Sequence, residues 1–262
     1  MNDSFNRLID DLRKIGIKNG DVVLVHSSLS SMGFVEGGAK TVIDALEAVI
    51  GKDGTLLFPA FTYREVYETR LFSICDSAVC VGKIPETFRN EPGVIRSTHP
   101  THSVCARGRF AEEITQNHEL DRTPMGVNSP FRRLCAYNAK ILMLGCSLKS
   151  TSFMHALEEE GELEYCLTPY EIEYTVTDKN GNCFTDKYRK HNFKRKNITV
   201  KQCYTRCIDV LTEGIDYQRA TVHGADSYLI DSRALHDKAL LKMKSEPYYF
   251  VDLPDGYTPG AE

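Results

Sequence analysis

The chain has 262 residues, 42% apolar and 26% charged, an ordinary globular composition long enough to bury a core without disulfide or metal staples. A net charge of −4 gives no general attraction to nucleic acid or to an anionic membrane. The first sixteen residues lack a basic segment followed by an apolar stretch, and no run of about 18 apolar residues occurs, so a cytoplasmic protein without a membrane span is expected. The nine cysteines are an odd number, scattered and without a C-x-x-C pair, which predicts reduced thiols used mostly as small buried hydrophobes.

In chain order, Phe5, Leu8, Ile9, Leu12 and Ile15 recur at helical spacing and predict an amphipathic helix over residues 4–15. Asp21–His26 is a β-branched run after a Lys-Asn-Gly turn and reads as a buried strand. Residues 41–50 are helical in pattern, and Gly54–Phe58 returns to strand before Pro59, so a βαβ unit and a parallel or mixed sheet are expected. A helix over 84–89, a short strand over 104–106, a central strand over 139–144 and a helix over 151–160 follow. Residues 170–177 alternate strictly, and Lys179–Asn182 is a hairpin turn, so a small antiparallel addition is expected in the second half. A last helix over 232–244 precedes a Pro/Gly-rich coil. No repeat or linker divides the chain, which reads as a single α/β domain over 1–262 with a mixed sheet flanked by helices.

Four segments carry chemistry: Val25–Ser30 (VHSSLS), Arg96–Ser103 (RSTHPTHS), Asn128–Phe131 (NSPF) and Gly145–Glu158 (GCSLKSTSFMHALE). In the first, a strand ends in serines at a loop, where hydroxyls and backbone N–H groups suit a phosphate. His26 there reads as a packed, hydrogen-bonded histidine. In the second, Arg96 can take a phosphate bidentately while Ser97 and Ser103 donate. His99 and His102 stand as H-x-x-H, but no carboxylate or thiol adjoins at ligand spacing, so no metal is expected. In the fourth, His155 has Glu158 at i+3 on one helix face, the arrangement of a base tuned to neutral pH. Cys146 at a strand-to-helix turn offers a competing reading, a cysteine hydrolase with His155 as base, although the flanking Gly-x-Cys-x-Gly pattern is missing.

Together the four segments, in this order and spacing, resemble the aminoglycoside 3-N-acetyltransferase family from about residue 5 to residue 160. The resemblance implies the antibiotic N-acetyltransferase fold and an acyltransferase that uses acetyl-CoA as cosubstrate. It implies that Ser27, Ser28 and Leu29 hold the pantetheine and pyrophosphate, and it supports Arg96, Ser97 and Ser103 as further CoA contacts. It also implies that His155 and Glu158 lie on the catalytic helix and that Glu65 is an acidic residue facing the acceptor amine. Two departures stand out. Ser147-Leu148-Lys149 replaces a glycine-histidine-aspartate stretch. At Lys190 and Asn192 the family places acids, whereas this chain has Lys187, Arg189, Lys190, Lys194, Arg195, Lys196 and Lys201, with no acid over 187–201.

Such a rim repels a polycation and attracts an anion. The favoured acceptor at this point is therefore a nucleotide-linked, UDP-type amino sugar of polysaccharide biosynthesis. Arg189, Lys190 and Asn192 would contact it, and Tyr188 or Phe193 would stack on its base. The alternative is an aminoglycoside acceptor in antibiotic resistance; the run also suits the 3′-phosphate of CoA or a solvated face. No nucleic-acid or membrane partner is expected, and a homo-oligomer is compatible.

Overall fold

The computed structural model of the chain describes residues 3–195 and 198–255. Helix α1 (Asp3–Ile15) buries Leu8, Leu12 and Ile15, the stripe that the spacing predicts. Strand β1 (Val22–Ser27), helix α2 (Gly38–Ile50) and strand β2 (Thr55–Pro59) form the βαβ unit, with β1 parallel to β2. Then come α3 (Tyr63–Thr69), β3 (Leu71–Ser73), α4 (Lys83–Arg89), β4 (Ile95–Arg96), β5 (Val104–Gly108) and the short helices α5 (Ala111–Thr115) and α6 (Pro130–Arg133). Strand β6 (Lys140–Leu144) runs parallel to β1 on its other side, Ser27 opposite Leu144, and leads into α7 (Phe153–Glu160). The second half contributes β7 (Ile172–Thr177), β8 (Cys183–Tyr188), short β9 (Lys194–Arg195), β10 (Ile198–Thr199) and β11 (Lys201–Gln202), then β12 (Tyr217–Val222), β13 (Ala225–Asp231), α8 (Ser232–Ser245) and β14 (Val251–Asp252).

The main sheet has seven strands in the order β12-β13-β6-β1-β2-β5-β4, parallel at its centre and antiparallel toward both edges. Successive residues of the central strands serve opposite faces, as pleating requires. Val22, Leu24, Leu57, Ile141 and Met143 join the core layer of α7 and α8, while Val23, Val25, Leu56, Phe58, Leu142 and Leu144 join that of α1 and α2. Each such side chain, fully buried, stabilises the fold by roughly 1.5–3 kcal/mol.

Two features differ from the sequence reading. The expected antiparallel addition is a three-stranded sheet, because β3 pairs parallel to β7 on the edge opposite β8. Its turn is as expected, with Asp178 Oδ1 accepting the N–H groups of Asn180 and Asn182 and Gly181 at φ 83°. The hairpin β12–β13 was not anticipated. Polar side chains (Gln218, Arg219, Asp226, Ser227) interrupt its apolar positions, which gives a weak signal for two strands of the main sheet. The expected terminal coil lies for the most part outside the described residues. No helix among the described residues is long and apolar enough to cross a membrane.

Candidate active site

The carboxyl ends of β1, β2 and β6 meet where the chain connects to either side of β1, the place where open α/β sheets bind ligands. A cavity of about 670 Å³ opens there, and His26, Ser27, Tyr63, Tyr67, His102, Cys146, His155 and His191 are in its wall. A second concavity of about 560 Å³ adjoins it at Cys146 and is bounded by Ser31 and Gly145. Gly145 has φ 66°, and a Cβ there would sit 2.9 Å from the Ala225 Cβ, so this turn between β6 and the site requires glycine.

Helix α7 turns Phe153, Met154, Ala156 and Leu157 into the core and leaves His155 on the cavity side, 14% exposed. The Glu158 carboxylate, fully buried, lies 3.0 Å from His155 Nδ1. Glu158 also accepts from the Tyr204 hydroxyl at 2.7 Å and the Tyr165 hydroxyl at 3.2 Å. Burial and then Glu158 push the Tyr204 hydroxyl well above its usual range, so it remains a donor. Because that proton goes to Glu158, the close Tyr204 oxygen (2.9 Å from His155 Nδ1) leaves Nδ1–H directed at the carboxylate. The hydrogen bonds of the ring are thus at Nδ1, and Nε2 is the nitrogen available to a reacting amine. Around His155 stand His191, stacked at 4.2 Å, Phe193 at 5.3 Å and Tyr204 edge-on at 5.2 Å.

Of the residues expected to hold CoA, Ser27 lines the cavity, and its hydroxyl is buried with no hydrogen-bond partner, as is His26 Nε2. These orphaned polar atoms suit a ligand. His26 therefore differs from the hydrogen-bonded histidine expected; burial and then His155 hold its pKa down to about 3. The Ser28 hydroxyl is 2.8 Å from that of Ser31, and Leu29 opens the short 3₁₀ turn that follows.

Arg96, Ser97 and Ser103 sit in a different setting from Ser27. Arg96 is 8% exposed, and its guanidinium donates to the Ser103 hydroxyl (3.0 Å) and the carbonyls of Ile74 (3.2 Å), Ser77 (2.7 Å) and Ala60 (3.0 Å). Ser103 donates to Ala60 O at 2.8 Å, and the Ser97 hydroxyl sits between Val104 N and His118 Nδ1. All three are buried away from the cavity around His155, so their polar groups tie the β3–α4 connection and the start of α3 to the sheet. His99 and His102 are likewise buried, with Nδ1 engaged by the backbone or hydroxyl of Thr101 and His102.

Glu65 is on α3, two positions from Tyr63 and from Tyr67, which face the cavity together at i and i+4. Its own side is exposed, and the cavity wall takes Arg64 beside it instead.

Among the described residues of the basic stretch, charged side chains are engaged by neighbours. Arg189 Nε donates to Thr168 O at 2.5 Å, and Lys190 Nζ rests 4.8 Å from the Tyr67 ring centre. Asn192 bonds the Cys166 carbonyl through its backbone N–H, and Lys187 stands opposite Glu173 across the small sheet. Tyr188 is buried against Tyr174 and has no face for a base, whereas Phe193 lines the cavity. Lys196 and the side chains of Lys194 and Arg195 lie outside the described residues.

Cys146 lines the cavity, but burial pushes its thiol up to about 12. Burial that disfavours the thiolate weighs against the hydrolase alternative. Sequence reasoning missed Tyr165, Tyr204 and the pair His191–Glu159. Glu159 adjoins Glu158, but the others lie beyond the reach of any local spacing rule.

The aminoglycoside 3-N-acetyltransferase family model matches residues 24–244. Aminoglycoside N(3)-acetyltransferase IX of Micromonospora chalcea is 29% identical over 263 residues, covering 90% of this chain and 91% of that protein. Aminoglycoside N(3)-acetyltransferase VIII of Streptomyces fradiae is 34% identical over 176 residues, 60% of this chain and 60% of that protein. Among solved structures, the aminoglycoside acetyltransferase AAC(3)-IVa in complex with gentamicin superposes with a TM-score of 0.79 at 26% identity, over 94% of this chain and 90% of that one. A binary complex of AAC-IIIb with CoASH superposes with a TM-score of 0.79 over 92% of this chain and 96% of that one, at 24% identity, and shows the shared fold.

Proposed function

The chain belongs to the aminoglycoside 3-N-acetyltransferase family, and from that premise we propose that it transfers the acetyl group of acetyl-CoA to a ring amine of an aminoglycoside, with His155 as general base. It is an acyltransferase with acetyl-CoA as cosubstrate. The observation that carries the reading of the base is the His155 ring, tied at Nδ1 to a buried carboxylate and lining the cavity. The neutral amine attacks the thioester carbonyl, and the C–N bond forms. His155 Nε2 takes the proton that the nitrogen must lose, the C–S bond breaks, and the proton passes to sulfur to give the CoA thiol. Glu158 and Tyr204 hold the tautomer and stabilise the imidazolium. The adjoining concavities, joined at Cys146 beside the Ser27 hydroxyl, suit a long cosubstrate that enters from one side of an acceptor.

A nucleotide-linked amino sugar loses its rationale as acceptor. The relatives are named for aminoglycosides, and Arg189 and Lys190 are engaged by Thr168 and Tyr67. The aromatic ring of Tyr63 in the cavity wall suits an ammonium group that does not react. The test is thiol release from acetyl-CoA against a panel of gentamicin-type aminoglycosides and UDP-linked amino sugars. Turnover of the aminoglycosides alone is expected; turnover of the UDP sugars alone overturns the acceptor assignment. His155→Ala is expected to lower kcat by about 10²- to 10⁴-fold while acetyl-CoA still binds. Cys146→Ala should lose less than about tenfold, whereas a nucleophile would lose nearly all turnover.

A further inference from the structure

Beside His155 and Glu158 the site holds a second imidazole–carboxylate pair that the mechanism above leaves idle. His191 Nε2 lies 3.1 Å from Glu159 Oε1, and the two side chains are 8% and 5% exposed. The same carboxylate oxygen accepts the Met125 N–H at 2.9 Å, which fixes Glu159 from a second direction. Glu158 and Glu159 are consecutive on α7, so their side chains leave the helix about 100° apart, and each reaches a different histidine. The His191 ring stacks on His155 with centres 4.2 Å apart and planes 24° from parallel, and it lines the same cavity. With Nε2–H given to Glu159, Nδ1 carries the lone pair, and no hydrogen bond to Nδ1 is made among the described residues.

The reaction requires two deprotonations of one nitrogen. A basic amine arrives as an ammonium at neutral pH and must lose a proton before it can attack. It must lose a second as the C–N bond forms, and only that one is needed by the departing sulfur. We propose that His191, held by Glu159, is the second base of this site: its Nδ1 takes the proton that converts the acceptor ammonium to the nucleophilic amine, and His155 takes the proton released on C–N bond formation. The balance is R–NH₃⁺ plus acetyl-CoA to the amide, the CoA thiol and one proton. That proton leaves His191 for water before His155 is charged, because two stacked imidazolium rings repel. Burial and then the neighbouring His155 lower the His191 pKa, with Glu159 opposing, so the ring is neutral at pH 7 and gives a captured proton up readily to water. The titratable groups that face His191 are His155, Glu158 and Glu159 from α7 and His99 and His102 from the segment before β5. Burial lowers both His99 and His102, so neither supplies a competing cation there.

The inference rests on amine acetylation with His155 as base and is tested on gentamicin between pH 6 and 9.5 by thiol release. His191→Phe keeps a stacking ring without a basic nitrogen, and His191→Gln keeps a donor to Glu159 without one. Both are expected to lose about 100-fold in kcat/KM at pH 6.5, the usual scale for a proton acceptor, with KM for acetyl-CoA within about twofold of wild type. The deficit should shrink to within about threefold at pH 9.5, where the acceptor amine is already neutral. A deficit of equal size at every pH, as a purely structural role would give, or no deficit at all, overturns the proposal. His191→Gln decides the matter if the phenylalanine variant fails to bind acetyl-CoA. A His155→Ala enzyme that keeps its turnover overturns the base assignment instead, and a wild-type enzyme inert toward gentamicin overturns the acceptor reading and this proposal together.

Discussion

At His155 the chemistry depends on which nitrogen carries the proton, and the buried Glu158 decides that by accepting at Nδ1 while Tyr165 and Tyr204 hold the carboxylate in place. Glu158→Gln keeps the shape but presents an amide that can donate as well as accept, and it removes the charge that stabilises the imidazolium. Its kcat is expected to fall about 10²-fold, the scale of a general base that is present but badly supported, with KM for acetyl-CoA little changed. A loss under threefold would mean that the carboxylate has no part in proton transfer. Lys190 gives a second expectation. Its ammonium rests on Tyr67, a ring that also lines the cavity, and burial lowers its pKa. Lys190→Glu replaces a repelling charge by an attracting one and is expected to raise kcat/KM for gentamicin about five- to tenfold at low salt, an effect that shrinks as salt is added. Unchanged kinetics at both salt levels would place the acceptor away from α3. The H-x-x-E spacing made His155 and Glu158 legible in the sequence, because both partners lie on one helix. Tyr204 and His191 were not, since each reaches His155 from more than thirty residues downstream, and only the fold brings them there.

At the scale of elements, Arg96 shows how one composition serves two roles. A cation beside hydroxyls and a proline has the composition of an anion site, but the same residues make an internal clamp when β4 turns the guanidinium inward. Here Arg96 is shared among three backbone carbonyls and the Ser103 hydroxyl, with Phe72 under its plane at 5.1 Å. Burial draws its pKa down to about 10, so it is still charged at neutral pH and each bond is charge-assisted. Arg96→Met should strand these carbonyls and destabilise the protein by about 3 kcal/mol or more. The check is urea unfolding of the purified variant alongside its affinity for CoA. Wild-type stability with weakened CoA binding would restore the cofactor role that the buried geometry argues against. The three-stranded addition shows a related limit. Strands β7 and β8 were legible from strict alternation and a hairpin turn, whereas β3 is three residues long and is held by its partner rather than by its own pattern.

The whole molecule has an unusual dependence on neutral imidazoles. His26, His99, His102, His118 and His191 all have their pKa lowered, with burial as the first cause in each, and His26 and His118 are held down to about 3. The central sheet accounts for part of this arrangement. Its strands were legible as apolar runs, and their alternation fills both cores, but the histidines gather at the strand ends and in the loops beyond, where a linear reading assigns no depth. In the unfolded chain each imidazole titrates near 6.5, so below that pH the unfolded state binds more protons than the folded one. Stability is therefore fully present above about pH 7 and is lost as pH falls from about 6.5 toward 3, at about 1.4 kcal/mol per pH unit for each fully depressed imidazole. His26 and His118 alone give a loss of about 3 kcal/mol between pH 7.5 and pH 5.5, and the other three add in the same direction. Against a total stability of about 5–15 kcal/mol, that loss is a sizeable share and sets in at higher pH than carboxylate protonation does. Thermal melts from pH 8 to pH 5 should show a midpoint that is flat above pH 7 and falls steeply below 6.5. His118→Asn, which removes one buried imidazole beside Ser97, should reduce the slope below pH 6.5 even if it lowers the midpoint at pH 8. A midpoint that stays level to pH 5 would mean that these rings are charged, or freely hydrated, in the folded protein.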